Sequence, residues 1–214
     1  MSLDICEIFH SLQGESTFAG LPCVFIRLSG CNLDCTWCDT PYARTERQSM
    51  SRKNILEKVG QFDCPLVEVT GGEPLLQAET PALVSDLISK GHKVLMETNG
   101  SISIAPVDPA CIRILDIKCP SSGEQDAFCE ENYGLITPED EVKFVVGSRT
   151  DYEFARIIIQ SRLSGHPRQH IHLSPVFKAL PAQRLAAWIL EDNLPGRLSL
   201  QQHKLVWHPD QRGV

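Results

Sequence analysis

The chain has 214 residues, 42% of them hydrophobic and 22% charged, with a formal net charge of −7. This is the composition of a globular protein with room for one sizeable core, and the acidic balance argues against a nucleic-acid binder working through a broad basic face. No apolar run approaches the roughly 20 residues of a membrane span, and Met1–Glu7 carries acids rather than the basic n-region of an export signal, so the expectation is a cytoplasmic protein with one domain over residues 1–214 and no nucleic-acid or membrane partner.

In chain order, Ile5–Phe9 and Cys23–Leu28 read as strands, Arg52–Phe62 as a helix capped by Ser51, and Leu66–Val69 as a strand. Pro81–Lys90 reads as a helix, with Pro81 after Thr80 at the first helical position and Gly91 ending it. Strands follow at Lys93–Glu97, Ile112–Ile117 and Glu141–Val146, then a helix at Tyr152–Leu163 capped by Asp151, a strand at His170–Leu173 and a helix at Pro181–Glu191. Alternating strands and helices imply βαβ units and a mostly parallel sheet. Ligands of such sheets collect at the carboxyl ends of the strands. Conspicuous residues stand at five of those ends: Cys31, Gly71-Gly72-Glu73, Thr98-Asn99, Asp116-Ile117-Lys118 and Ser174-Pro175.

Nine cysteines, an odd number without an export signal, favour metal binding over a disulfide framework. Cys6, Cys23, Cys64, Cys111, Cys119 and Cys129 are scattered singly and read as small hydrophobes. Cys31, Cys35 and Cys38 form a C-x3-C-x2-C run that suits one loop around an iron–sulfur cluster. Three thiolates leave one iron of a 4Fe-4S cluster without a protein ligand, an open position for a cofactor or substrate. A single zinc is the rival, with His10 or another cysteine as fourth ligand, although no second C-x2-C knuckle exists. Val67–Pro74 is a strand running into a Gly71-Gly72 turn, where two glycines let backbone approach a ligand and expose N–H groups.

The cysteine run, with Trp37 before its last member, resembles the radical S-adenosylmethionine superfamily. The resemblance implies a 4Fe-4S cluster on Cys31, Cys35 and Cys38, and S-adenosylmethionine chelated by the open iron and cleaved reductively to a 5′-deoxyadenosyl radical. It places Trp37 near the adenine, the Gly71, Gly72 and Glu73 turn at the cofactor's amino group, and Thr70 facing the substrate. Asp116, Ile117 and Lys118, and the turn Ser174, Pro175, Val176 and Phe177, become further cofactor contacts.

Ile8–Glu15, Arg27, Cys38-Asp39-Thr40, Glu97–Gly100 and Leu200–Lys204 make the chain similar to the 7-carboxy-7-deazaguanine synthases from Phe9 to about Pro209. That family implies an α/β fold, a reduced, open partial (β/α) barrel, and a homodimer served by an external electron donor such as flavodoxin. It also implies conversion of a small-molecule pterin, 6-carboxy-5,6,7,8-tetrahydropterin, to 7-carboxy-7-deazaguanine with loss of ammonia, on the way to queuosine and other 7-deazapurines. Hydrogen is abstracted at C6 and later returned. Magnesium would sit on Thr40. The implied substrate residues are Leu12, Gln13, Gly14, Glu15, Arg27, Thr70, Glu97, Asn99, His203 and Pro209. Chemistry supports some independently: a guanidinium fork such as Arg27 suits a carboxylate, and the donor-rich pterin edge calls for acceptors such as Gln13, Glu15 or Glu97. The chain departs from the family in Ser16, where glycine is frequent, in Ser174–Phe177, and in the five residues after Pro209. The rivals are a glycyl-radical-enzyme activase of the same superfamily and a non-catalytic metal-binding module.

Overall fold

The computed structural model describes residues 2–214. Strands β1 (Ser2–Leu12), β2 (Pro22–Leu28) and β3 (Gln48–Ser51) lead into helix α1 (Arg52–Val59). Then come β4 (Leu66–Gly71), α2 (Thr80–Ser89), β5 (Lys93–Thr98), β6 (Ile112–Asp116), β7 (Glu141–Val146) and α3 (Arg149–Arg162). β8 (Ile171–Pro175), α4 (Ala182–Glu191), β9 (Arg197–Leu198) and α5 (His203–Val206) complete the chain. All nine strands join one sheet in the order β3-β1-β2-β4-β5-β6-β7-β8-β9. β1 is antiparallel to both β2 and β3, and every pairing from β2 onward is parallel. β3 and β9 are free edges, so the sheet is open, as an incomplete (β/α) barrel.

Neighbouring residues in a ladder project to the same face, and alternate residues along a strand share one. One face presents Val24, Ile26, Val67, Val69, Val94 and Met96, packed with Ile55, Leu83 and Leu87 of α1 and α2. Farther along, Val142, Phe144 and Val146 pack with Tyr152, Ala155, Ile159 and Leu185 of α3 and α4. The other face is polar where a barrel's interior would lie. Its register pairs Glu7 with Arg27, Arg27 with Thr70, Phe25 with Glu68, Glu97 with Ile114, Ile114 with Glu141, Asp116 with Lys143, and Lys143 with His172.

Three short elements escape the sequence pattern. β3 has one apolar residue and exists because Ser2 and Leu3 pair with Ser51 and Met50; β9 and α5 are two and four residues long, too short for any periodicity. One cap also differs. Ser51 caps α1 as expected, accepting from Asn54 N at 3.2 Å. α3 starts earlier than expected and is capped by Ser148, which accepts from Asp151 N at 3.2 Å. Asp151 is instead buried, with its carboxylate accepting from Ser121 N and Gly147 N, both at 2.8 Å. α2 begins at Thr80, whose hydroxyl donates to Pro74 O at 2.6 Å, and Gly91 follows it at φ 88°.

Candidate active site

The cysteine run occupies the loop after β2. Gly30 N donates to Ala43 O at 2.8 Å and closes the loop's base. Its outer flank is pinned by Thr36 N to Ser122 O (3.0 Å), Asp34 N to Glu124 Oε1 (2.6 Å) and Asn32 Nδ2 to Ser101 Oγ (2.9 Å). All nine cysteines are free thiols; Cys31, Cys35 and Cys38 are half-buried, whereas Cys23, Cys64, Cys111 and Cys119 are buried as small hydrophobes. Burial pushes the Cys35 thiol up while Lys118 pulls it down. Among the described residues no three His, Cys, Asp or Glu side chains converge closely enough for one metal ion. Three soft thiolate donors carried on one loop suit a 4Fe-4S cluster that keeps one open corner. His10, the candidate fourth zinc ligand, lies on β1 with its ring 5.6 Å from that of Phe62.

The glycine turn after β4 lies directly against this loop. A Cβ on Gly72 would overlap Gly30 O and meet Cys31 Cβ at 2.8 Å, and one on Gly71 would overlap Leu28 O. The turn's N–H groups are not exposed as the sequence implied: Gly72 N donates to Leu28 O at 3.3 Å and Glu73 N to Gly30 O at 2.8 Å. Nor is Glu73 an open carboxylate. It is fully buried, accepting from Leu75 N (2.9 Å), Thr98 Oγ1 (2.9 Å) and Asn99 N (2.7 Å), and burial raises its pKa despite those bonds. Asn99 turns to the cysteine loop, donating to Asn32 Oδ1 at 3.2 Å with Cys31 Sγ 4.0 Å away. Ile117 sends its side chain into the core, so only its backbone is left for a ligand.

On the polar face, Arg27 donates from Nε to Glu7 Oε1 at 2.7 Å, and Tyr42 OH donates to the same oxygen at 3.0 Å. The two Nη groups of Arg27 have no partner among the described residues. Across the sheet, Lys143 Nζ reaches Glu15 Oε2 at 2.9 Å, Asp116 Oδ2 at 3.5 Å and Glu97 Oε1. Burial alone would neutralise this lysine, but the three carboxylates raise its pKa. Burial likewise opposes the charge on Glu15, yet Lys143 and a hydrogen bond from Gln201 hold it at about 2. Glu97 stays above the usual carboxylate range because burial, with Glu15 and Asp116, outweighs Lys143. Beneath them Glu68, bonded by Gln13, is pushed up to about 8, first by burial and then by Glu97. Gln13, Glu15, Ser16, Glu97, Ile114, Lys143 and His172 line one cleft. Ser16, the departure from glycine, holds φ at 50°, the left-handed region glycine favours.

The C-terminal segment crosses this cleft. Gln202 N donates to Gly14 O at 2.8 Å, Gln201 Nε2 to Glu15 Oε1 at 2.9 Å, and Lys204 Nζ to Asp39 Oδ2 at 3.1 Å. His203 presses on Gly14, where a Cβ would overlap its ring; burial lowers its pKa, so it is neutral near pH 7. Beside it, Pro175 and Phe177 of the expected turn line an apolar groove with Leu180, Leu200 and Leu205, while Ser174 and Val176 are buried. Ser174 Oγ donates to Ser199 O at 3.0 Å.

Residues 25–115 match the model of the radical SAM superfamily. A curated 7-carboxy-7-deazaguanine synthase from Koribacter versatilis is 42% identical over 99% of this chain and 100% of its own. Another, from Chlorobaculum tepidum, is 46% identical over 99% and 97%. The chain belongs to the 7-carboxy-7-deazaguanine synthase family. The crystal structure of QueE from Escherichia coli superposes with a TM-score of 0.77 at 27% identity, covering 95% of each chain. As a radical SAM lyase of this family, whose superfamily uses a 4Fe-4S cluster and S-adenosylmethionine, the chain carries its cysteine loop, glycine turn and polar face on one rim of the sheet. Sequence reasoning missed Glu7, Glu68, Lys143, Glu141 and His172 on that face; Glu141 and His172 are a buried pair 2.7 Å apart. The signal was available: a parallel sheet covered on both faces reads as continuous apolar runs, so a lone charge between valines, as in Val67-Glu68-Val69, marks a polar interior.

Proposed function

We propose that this protein converts 6-carboxy-5,6,7,8-tetrahydropterin to 7-carboxy-7-deazaguanine and ammonia as a single domain over residues 1–214. The observation that carries the assignment is the polar face itself: a guanidinium with both Nη groups free and a carboxylate cluster share one face of the sheet, and the three-cysteine loop follows the strand that bears the guanidinium. Substrate and product plus ammonia balance without net oxidation, so the overall reaction consumes no reductant.

Cys31, Cys35 and Cys38 would hold the 4Fe-4S cluster, and bound S-adenosylmethionine supplies the radical that starts the reaction. The N–H groups of the glycine turn are engaged, so the carbonyls of Gly71 and Gly72 suit the cofactor's ammonium. Trp37, Asp116, the Ile117 backbone, Lys118 and the Ser174–Phe177 turn complete that half. Arg27 clamps the substrate carboxylate through its Nη pair, Glu15 and Glu97 accept from the pterin's amino and ring N–H groups, and Thr70 and neutral His203 close the site from opposite sides. Thr40 opens a short 3-10 turn with no side-chain capping bond, leaving its hydroxyl for magnesium, with substrate oxygens as further ligands. A homodimer, a cytoplasmic setting and an external donor such as flavodoxin belong to the same proposal on the strength of the resemblance.

Anaerobically reconstituted enzyme is expected to show about four irons per chain and a broad absorption near 400 nm. With carboxytetrahydropterin, S-adenosylmethionine, reductant and magnesium it should form 7-carboxy-7-deazaguanine. Cys35→Ala should lose both the absorption and 5′-deoxyadenosine formation. A reconstituted wild-type enzyme that makes 5′-deoxyadenosine but never the deazaguanine would remove the substrate assignment.

A further inference from the structure

Lys143 stands in the middle of β7 with only 8% of its side chain exposed. Its ammonium meets three carboxylates from three separate segments: Glu15 from the loop after β1, Glu97 from β5 and Asp116 from β6. An ammonium has three donors; two of them bond Glu15 and Glu97, and Asp116 stands 3.5 Å away as a further ion-pair partner. A buried lysine with fewer partners would shed its proton. The bonding also selects which oxygens remain. Glu15 has Oε2 on Lys143 and Oε1 on Gln201. Glu97 has Oε1 on Lys143, while its Oε2 takes no hydrogen bond among the described residues. Asp116 Oδ2 also holds Lys118 at 2.8 Å, and Ser122, four residues further on, pins the cysteine loop by accepting from Thr36 N at 3.0 Å. One side chain thus ties the pterin-facing acceptors to the side of the site beside the cysteine loop.

We propose that Lys143 is the positioning residue that aims Glu97, and through it the pterin edge, at the cofactor side of the cleft. Without its ammonium, three carboxylates would face one another in a dry site, and at least one would take up a proton. A carboxyl holding that proton meets the donor-rich pterin edge with a donor of its own. Affinity then falls, and the substrate that still binds is misplaced relative to the radical.

The inference rests on the pterin assignment, and the test separates the two. Pterin dissociation constants and the ratio of deazaguanine to 5′-deoxyadenosine are measured for cluster-loaded wild type, Lys143→Met, Lys143→Arg, Glu97→Gln and the Lys143→Met/Glu97→Gln double variant. Lys143→Met is expected to keep the 400 nm absorption, weaken pterin binding roughly tenfold or more, and release 5′-deoxyadenosine without matching product. Lys143→Arg keeps the charge but not the point geometry, and should show the same uncoupling more mildly. In the double variant the two losses should overlap rather than multiply. Affinity and coupling within twofold of wild type in Lys143→Met, or fully multiplicative losses, would overturn the inference. Where Lys143→Met fails to fold or load its cluster, Lys143→Arg decides: wild-type affinity and coupling there would show a charge-balancing role only. A wild-type enzyme that neither binds nor converts the pterin would bring down the substrate assignment, and this inference with it.

Discussion

Glu68 sits in β4 between two fully buried valines and is itself 2% exposed. Its carboxyl titrates at about 8 in the folded chain against an ordinary 4.5. Between those values the folded protein keeps a proton that the unfolded chain has released, so Glu68 lowers stability as pH rises through that window. Glu15 behaves oppositely: held at about 2, it adds stability above its unfolded value of 4.5 that disappears as pH falls toward 2. Glu68→Gln removes the titration and keeps an oxygen to accept from Gln13 Nε2. The variant should melt higher than wild type at pH 8 to 9 and about equally at pH 4 to 5. Each kcal/mol gained corresponds to roughly 2–4 °C in a domain of this size. Equal melting temperatures at pH 9 would mean that the ionised carboxylate finds solvation within the cleft.

The elements that carry the site differ in how plainly the chain announces them. The parallel strands from β2 to β8 were legible as apolar β-branched runs, and the cysteine loop and glycine turn as local motifs, because their chemistry is set by residues adjacent in sequence. β3 was not, since its four residues become a strand only against the start of β1. Lys143 was not, since its three partners lie 27 to 128 positions away and only the sheet brings them together. Ser148 rather than Asp151 caps α3, and Asp151 is taken by Gly147 nearby and by Ser121, 30 positions away, the latter again a contact between distant segments. Gly72 shows what local legibility is worth. The turn's second glycine is the contact surface between two motifs, and a methyl group there would strike Gly30 O and Cys31 Cβ. Backbone is the obstacle, so it cannot be relieved by a rotamer change. Gly72→Ala should therefore displace the cysteine loop, lower iron content on reconstitution, and destabilise the fold by about 1–3 kcal/mol. Full iron loading with an unshifted thermal melt would contradict the close approach.

At the scale of the whole molecule, an open sheet leaves its polar face unclosed between the two edge strands, and the C-terminal segment supplies the missing wall. Gln201, Gln202, His203 and Lys204 touch Glu15, Gly14 and Asp39, bridging as many as 189 positions. Farther out, Arg212 lies 3.4 Å over the Tyr42 ring and pairs with Glu46 at 2.7 Å. Tyr42 leads through Glu7 to Arg27, so the residues after Pro209 are anchored to the same network as the guanidinium. Neither apolar cluster includes a residue beyond Leu198, so the wall is separable from the core. Deleting Leu200–Val214 should leave a folded, cluster-loaded protein whose pterin affinity falls at least roughly tenfold, since the deletion takes charge-assisted bonds out of the cleft. 5′-Deoxyadenosine should still form, uncoupled from product. Deleting only Asp210–Val214 removes an exposed ion pair, the kind that contributes little, and should change pterin affinity less than about threefold. If that short deletion already matches the long one, the clamp on Tyr42 rather than the wall over Glu15 governs the cleft, with Arg27 as its point of action. If the long deletion unfolds the chain, Gly14→Ala asks the same question in the full-length protein by pushing His203 off the loop, with cluster content unchanged and pterin binding weakened.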